Sequence, residues 1–212
     1  YCSSTSMKTF IENFSIEDIS QSIWTQIAGR LEQSTPHPIT PDEAKRLHHY
    51  IICPKGSEDF DGIVKHLQRQ TNGEIQNEIE ITASSILDDD ETKYNQYYSI
   101  QYDNRQYFET KDQPNSWICF EFKNHQIIPT HYTIRSRNDG RNSPKHFKIE
   151  ISKDKMNWEE VDSQSDSPFT NDNPVTFTFT IDVNKQKEAK FIRLTQTGLN
   201  SWKQNYLVID SI

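Results

Sequence analysis

The chain has 212 residues, 33% of them hydrophobic and 25% charged, and its 31 acidic against 23 basic side chains give a formal net charge of −8. That length holds one ordinary domain with a short appendage, and a surface of that sign disfavours nonspecific binding to nucleic acid or anionic lipid. No run approaches the roughly 18 apolar residues of a membrane-spanning helix, which excludes insertion by that route.

The first elements are helical. Met7, Phe10, Ile11 and Phe14, then Ile16, Ile19, Ile23, Ile27 and Leu31, recur at spacings of three and four, which predicts amphipathic helix. Ser34-Thr35-Pro36-His37-Pro38 is a linker, because paired prolines block a helix. Thr40-Pro41-Asp42-Glu43 reads as an N-cap, a proline in the first turn and acids behind it, opening a short helix to His49. A further helix is expected over residues 60–70, stopped by Asn72-Gly73. No secretory leader pattern opens the chain, and the three cysteines (Cys2, Cys53, Cys119) match no zinc spacing. Together these point to a reduced, cytoplasmic protein with Cys119 as a buried thiol and a Cys2–Cys53 disulfide as the alternative. Asn13-Phe14-Ser15 is a formal glycosylation acceptor within a helical pattern.

Beyond residue 75 the period changes to two. Ile79 and Ile81, Ile118 to Phe122, Tyr132 and Ile134, Phe147 to Ile151, Val175 to Ile181, Phe191 to Gln196 and Tyr206 to Ile212 are the expected strands. About seven or eight short strands with polar connections predict an antiparallel β-sandwich or barrel. Leu87 to Ser116 lacks periodicity, and so long a loop in a compact domain is usually functional. The division expected is a helical segment with linker over 1–56 and a β-sandwich with a short leading helix over 57–212.

No catalytic pattern stands out: the sequence has no G-x-S-x-G, H-E-x-x-H, phosphate loop or C-x-x-C. Three features invite ligand readings. Asp88, Asp89 and Asp90 supply the hard oxygens that calcium prefers, or form a solvated acidic loop. Tyr94, Tyr97, Tyr98, Tyr102 and Tyr107 crowd the long loop, where their amphipathic rings either contact a partner or fold the loop onto the sandwich. Arg135, Arg137 and Arg141 flank the Asn138-Asp139-Gly140 turn, suited to a bidentate anion or to pairing with local acids. Trp158 is expected in the core. Trp202, in a polar loop with Asn200, is a contact residue if exposed and a plug if buried.

The strand residues also carry a family resemblance. Ile81-Thr82-Ala83-Ser84-Ser85 with Asn115 to Phe122 resembles the opening of a discoidin (coagulation factor type C) domain. Phe147 to Ser152, Asp154 and Asn157-Trp158 resemble its mid-domain strand, turn and tryptophan, with Lys155 where glycine is usual. Phe191 to Leu194 and Ser201-Trp202 resemble its close. The resemblance covers residues 76–212 and implies a mainly β, galactose-binding-like antiparallel jelly roll that recognises ligands without catalysis. Its binding loops would be 86–98, 135–143 and 200–202. The helical part resembles, more weakly, the end of a BACK region, with Phe60 to Leu67 as the junction seen in proteins with BTB, BACK and discoidin parts. That would make the chain a piece of a larger intracellular adaptor, its preceding part carrying dimerisation and cullin contact.

The expected function is therefore a non-catalytic recognition module, the substrate- or partner-binding part of an intracellular BTB-type adaptor. The alternative is a carbohydrate-binding module. Its contacts would be Tyr97, Tyr98, Arg135, Arg137, Asn138, Arg141, Asn200 and Trp202, with no cofactor beyond a structural calcium at Asp88 to Asp90.

Overall fold

A computed structural model of the chain describes residues 60–102, 105–169 and 175–212, all within the unit Pro54–Ile212. The helices expected before His49, the Cys2–Cys53 pair and most of the BACK-like resemblance lie outside the described residues. Helix α1, Ile63–Gln70, turns Leu67 into the core with Ile63 and Val64 packed beside it. It stops as its sequence implies: Asn72 (φ 51°) and Gly73 (φ 94°) are left-handed, and the Gly73 N–H donates to Gln68 O at 3.0 Å.

Nine strands follow among the described residues: β1 Ile79–Ala83, β2 Phe108–Glu109, β3 Trp117–Phe122, β4 His131–Arg135, β5 Phe147–Ser152, β6 Glu159–Gln164, β7 Thr176–Thr180, β8 Phe191–Gln196 and β9 Val208–Ile209. One layer is an antiparallel sheet in the order β1-β3-β8-β5-β6. The other joins the pairs β2-β9 and β4-β7 through an Arg135–Ser211 bridge. This is the expected mainly β jelly-roll sandwich.

Alternation dictates the layers. Register places Ala83, Ile118, Leu194 and Ile149 in one row and Ile81, Phe120, Ile192 and Ile151 in the next, both facing the core. From the other layer, Tyr132 stacks on Phe179 at 5.0 Å and Phe177 meets Phe169 edge-on at 5.3 Å, while Thr178 and Thr180 face outward. Burying each such large side chain contributes roughly 1.5–3 kcal/mol.

The outer face of the larger sheet is polar but organised. Glu150 accepts from Arg193 Nε at 3.0 Å and Thr195 Oγ1 at 2.9 Å and pairs with Lys148 at 2.9 Å. Burial opposes its ionisation, but these partners outweigh that and hold its carboxyl below the usual range. Trp158 belongs here rather than in the core: half-buried, it stacks on Arg193, whose Cζ lies 3.9 Å from the ring centroid. Cys119 is buried as expected, and burial pushes its thiol up to about 11.

The segment expected as a plain loop from Leu87 holds a 3₁₀ turn (Leu87–Asp89), helix α2 (Glu91–Tyr94), a second 3₁₀ turn (Gln96–Ile100) and β2. It blocks the free edge of β1. The Ile81 N–H donates to Tyr97 Oη at 3.3 Å, and Gln96 Nε2 donates to Ile81 O at 3.3 Å.

Candidate functional site

Three connections meet at one end of the sandwich: those after β1, after β4 and after β8. Backbone geometry fixes the second. The Gly140 N–H donates to Arg137 O at 2.9 Å with Gly140 at φ 68°, and the Arg141 N–H donates to Asp139 Oδ1 at 3.1 Å. That turn is tied to the third loop, because the Ser143 N–H donates to Ser201 Oγ and the Ser201 N–H to Ser143 O, both at 3.0 Å. The third loop starts where Gly198 passes His146 so closely that a Cβ there would sit 2.9 Å from the His146 side chain.

These ties bring charges and rings together. The Arg137 guanidinium lies 4.4 Å from the centre of the Tyr107 ring, 2.9 Å from Asp139 and 3.9 Å from Glu109. Its Nε is buried with no hydrogen-bond partner, as is Oδ1 of Asn142. Arg141 lies 5.3 Å from the centre of the Trp202 ring and 3.6 Å from Asp139. Trp202 is 49% exposed and Leu199, on the same loop, 45%. Lys93 sits 4.9 Å from the Tyr94 ring, which meets Tyr107 at 5.8 Å. Burial raises the Glu109 carboxyl above its ordinary range, partly offset by Arg137 and Lys93 and reinforced by Asp139 and Asp88. Such a surface offers a partly exposed ring face beside planar hydrogen-bonding groups, in roughly balanced charge.

Of the residues expected from sequence, Arg137, Arg141 and Trp202 meet here, and Asn138 is exposed at the turn tip. The others serve the scaffold. Arg135 donates from Nε to Asp210 at 2.6 Å and from its terminal nitrogen to Ser211 Oγ at 3.0 Å, beneath the Phe60 ring, so its observed contacts are all within the fold. Asn200 is buried and organises its own loop, accepting from the Trp202 and Gln204 N–H groups and donating to Tyr206 O at 3.1 Å. Tyr97 packs on the core with its hydroxyl on β1, and Tyr98 donates to Thr92 O at 2.7 Å. The three aspartates diverge. Asp89 pairs with Lys111 at 2.6 Å, and Asp90 caps α2 by accepting from the Thr92 N–H. Asp88, at φ 55°, lies close enough to Glu109 to bear on its charge. Among the described residues no group of three or more His, Cys, Asp or Glu side chains is placed to hold a metal ion. Sequence reasoning missed Glu109, and it placed Lys93 and Asn142 within expected binding loops without singling them out. A glutamate beside Phe108 in an aperiodic stretch carried no signal of burial.

The fold is thus a two-layer antiparallel jelly roll with three connections gathered at one end. The chain belongs to the F5/8 type C domain family, whose pattern matches residues 80–210. Among solved structures it is similar to the CpGH89CBM32-5 module of Clostridium perfringens in complex with GalNAc-β-1,3-galactose (13% identity, TM-score 0.53, covering 64% of this chain and 94% of that one). It is also similar to the family 32 carbohydrate-binding module of C. perfringens NanJ in complex with galactose (16% identity, TM-score 0.50, 64% and 92%). A third is the F5/8 type C domain of a Bacteroides fragilis protein (12% identity, TM-score 0.50, 64% and 89%). At such identities the likeness is one of fold. No curated protein sequence matches the chain.

Proposed function

We propose that the domain is a non-catalytic carbohydrate-binding module that takes a neutral glycan on the surface formed by Tyr107, Glu109, Arg137, Asn142 and Trp202. The observation that carries this is the half-exposed Trp202 ring, 5.3 Å from Arg141, on loops that converge with the partly exposed Arg137. The partly exposed Arg137 guanidinium and the exposed Asn138 amide supply planar donors and an acceptor for sugar hydroxyls, which both donate and accept. Trp202 supplies the apolar face that a pyranose ring covers. The cations Lys93, Arg137 and Arg141 are matched by Asp88, Glu109 and Asp139, which favours a neutral sugar over a charged one. The sugars bound by the two Clostridium modules, galactose and GalNAc-β-1,3-galactose, are the first ligands to try.

The adaptor reading drew on residues 10–31, which lie outside the described residues, and on the Phe60 to Leu67 junction, which runs into helix α1 and contributes Leu67 to the core. The test is isothermal titration with galactose and GalNAc-β-1,3-galactose. Arg137→Ala removes a charged hydrogen bond worth about 1.5–3 kcal/mol, so affinity falls about 10- to 100-fold. Trp202→Ala lowers it by about tenfold. A glycan array without a hit, or variants that bind as wild type does, would refute the proposal.

A further inference from the structure

Among the described residues the two layers end in four outer strands, β1 and β6 in one and β2 and β7 in the other. Three of these are protected against pairing with another chain. Strand β1 is covered by Tyr97 and Gln96, β2 is two residues long, and β6 carries Glu159, Glu160 and Asp162 and meets β5 across a register break at Ile149/Glu150. Strand β7 has none of these devices. Its register with β4 runs unbroken from Arg135↔Thr176 to His131↔Thr180, and the segment 175–181, Val-Thr-Phe-Thr-Phe-Thr-Ile, holds no charge, proline or glycine. The Ile181 N–H donates to Thr130 O and the Ser136 N–H to Val175 O, so Val175, Phe177, Phe179 and Ile181 turn their backbone groups toward β4. The backbone groups of Thr176, Thr178 and Thr180 point the other way, and among the described residues nothing pairs with them. A hydrogen bond between the Thr133 and Thr178 hydroxyls, at 2.8 Å, ties the centre of the strand to β4. Phe177 and Phe179 pack on the core yet stay only half-buried, as rings at an open edge do.

We propose that β7 pairs antiparallel with β7 of a second copy of this chain, about a twofold axis at Thr178. The segment 175–181 reads alike from either end: a β-branched aliphatic, then threonine and phenylalanine in strict alternation, then a β-branched aliphatic. Inverting it sets Thr178 against Thr178, Thr176 against Thr180, Phe177 against Phe179 and Val175 against Ile181, with like faces together. The threonines are the residues whose backbone groups face the edge, so each threonine pair exchanges N–H···O bonds in both directions. The phenylalanine pairs cover their half-buried rings, and the outer face gains a ladder of threonines. Charge and area set the strength. The paired segments carry no charge, whereas each whole chain has a formal −8, so repulsion between copies opposes the contact and salt relieves it. The segment spans about 24 Å along a sandwich edge about 10 Å thick, roughly 240 Å² per copy against the roughly 800 Å² of a stable interface. Pairing is therefore reversible, with a Kd of the order of 0.1–1 mM.

The experiment is sedimentation velocity of the full chain from about 10 µM to about 1 mM, at low and at high salt. The sedimentation coefficient is expected to rise with concentration, and more steeply at high salt. Thr178→Lys and Thr178→Glu each set like charges opposite one another at the axis and should weaken association by about fivefold or more. An equimolar mixture of the two variants should recover it at low salt, because lysine then meets glutamate. Thr180→Lys, which faces Thr176 of the second copy, should weaken association likewise, and it replaces the changes at Thr178 if thermal melts of dilute protein show those to disturb the fold. Trp202→Ala should associate as the wild type does. A wild-type chain that stays monomeric throughout, or one whose association weakens with salt, would overturn the inference. So would association that neither lysine variant alters, that is lost in Trp202→Ala, or that the Lys and Glu variants lose without recovery in the mixture.

Discussion

Replacing Arg135 by methionine tests whether this arginine builds the fold or receives a ligand. The side chain is 21% exposed and its partner Asp210 is 2% exposed, 2.6 Å away. Methionine keeps the apolar stem under Phe60 and removes the charge, leaving Asp210 buried with the Ser211 hydroxyl at 2.7 Å among its contacts. Removing one partner of a buried ion pair costs about 3–5 kcal/mol. The Ser211 hydrogen bond and the partial exposure of Arg135 point to the lower end, about 3 kcal/mol. For a chain of this size each kcal/mol moves Tm by about 2–4 °C, so Arg135→Met should melt about 6–12 °C lower. Calorimetry reads this directly, and a second change, Asp210→Asn, should restore part of the loss by removing the stranded charge. Galactose affinity measured below the transition should stay at the wild-type value. A melting point within 1 °C of wild type, or a selective loss of sugar binding, would refute the structural role.

Three further outcomes are expected. Burial raises the Glu109 pKa, so its stabilising contribution is fully present below the ordinary value of 4.5 and is lost as pH rises through the folded value. Glu109→Gln should therefore raise Tm at pH 7 and lose that advantage near pH 4, by thermal melts across that span; a pH-independent difference would count against it. Asp154 accepts from the Asn157 and Met156 N–H groups at 2.8 Å and from Asn157 Nδ2 at 2.7 Å, which hold its carboxyl far below the usual range. Its contribution is present above the ordinary value of 3.8 and lost as pH falls, so Asp154→Ala should lower Tm at neutral pH and less so in acid. Cys119, buried and with its thiol raised to about 11, should resist alkylation by iodoacetamide in native protein at pH 8 and react once unfolded, by peptide mass mapping; rapid native labelling would contradict its burial.

What sequence revealed followed from alternation. Residues 176–180 alternate phenylalanine with threonine and form β7 as read; 191–196 form β8. Strand β6 escaped because only Val161 among Glu159–Gln164 is buried, leaving no apolar rhythm. Strand β2 escaped because two residues are too few to show a period. The turn at Lys155, where the family usually has glycine, was legible for its backbone: Lys155 is left-handed at φ 64°. The site was half legible. Arg137, Arg141, Asn142 and Trp202 lie on loops that the sequence marks, whereas Glu109 joins them only because distant segments converge.

The contrast between Arg135 and Arg137 shows where sequence reasoning stops. They stand two apart, each meets a buried carboxylate from the β2-β9 region, and their exposures are nearly equal, 21% and 19%. Neither residue type, spacing nor burial separates them; the partners that hold them do. Arg135 contacts Asp210 at 2.6 Å and spends a further N–H on Ser211. Arg137 stands 3.9 Å from Glu109, beyond hydrogen-bonding reach, and pairs instead with Asp139 of its own turn at 2.9 Å. Arg135 ties β4 to the buried Asp210 and Ser211, so its loss is read in Tm. Arg137 is held by an acid of its own exposed turn, on the loops that carry Trp202, so under the proposed function its loss is read in affinity. The same measurements on Arg135→Met and Arg137→Ala should therefore move in opposite columns, and a common response of both would remove the basis for calling either one the binding arginine.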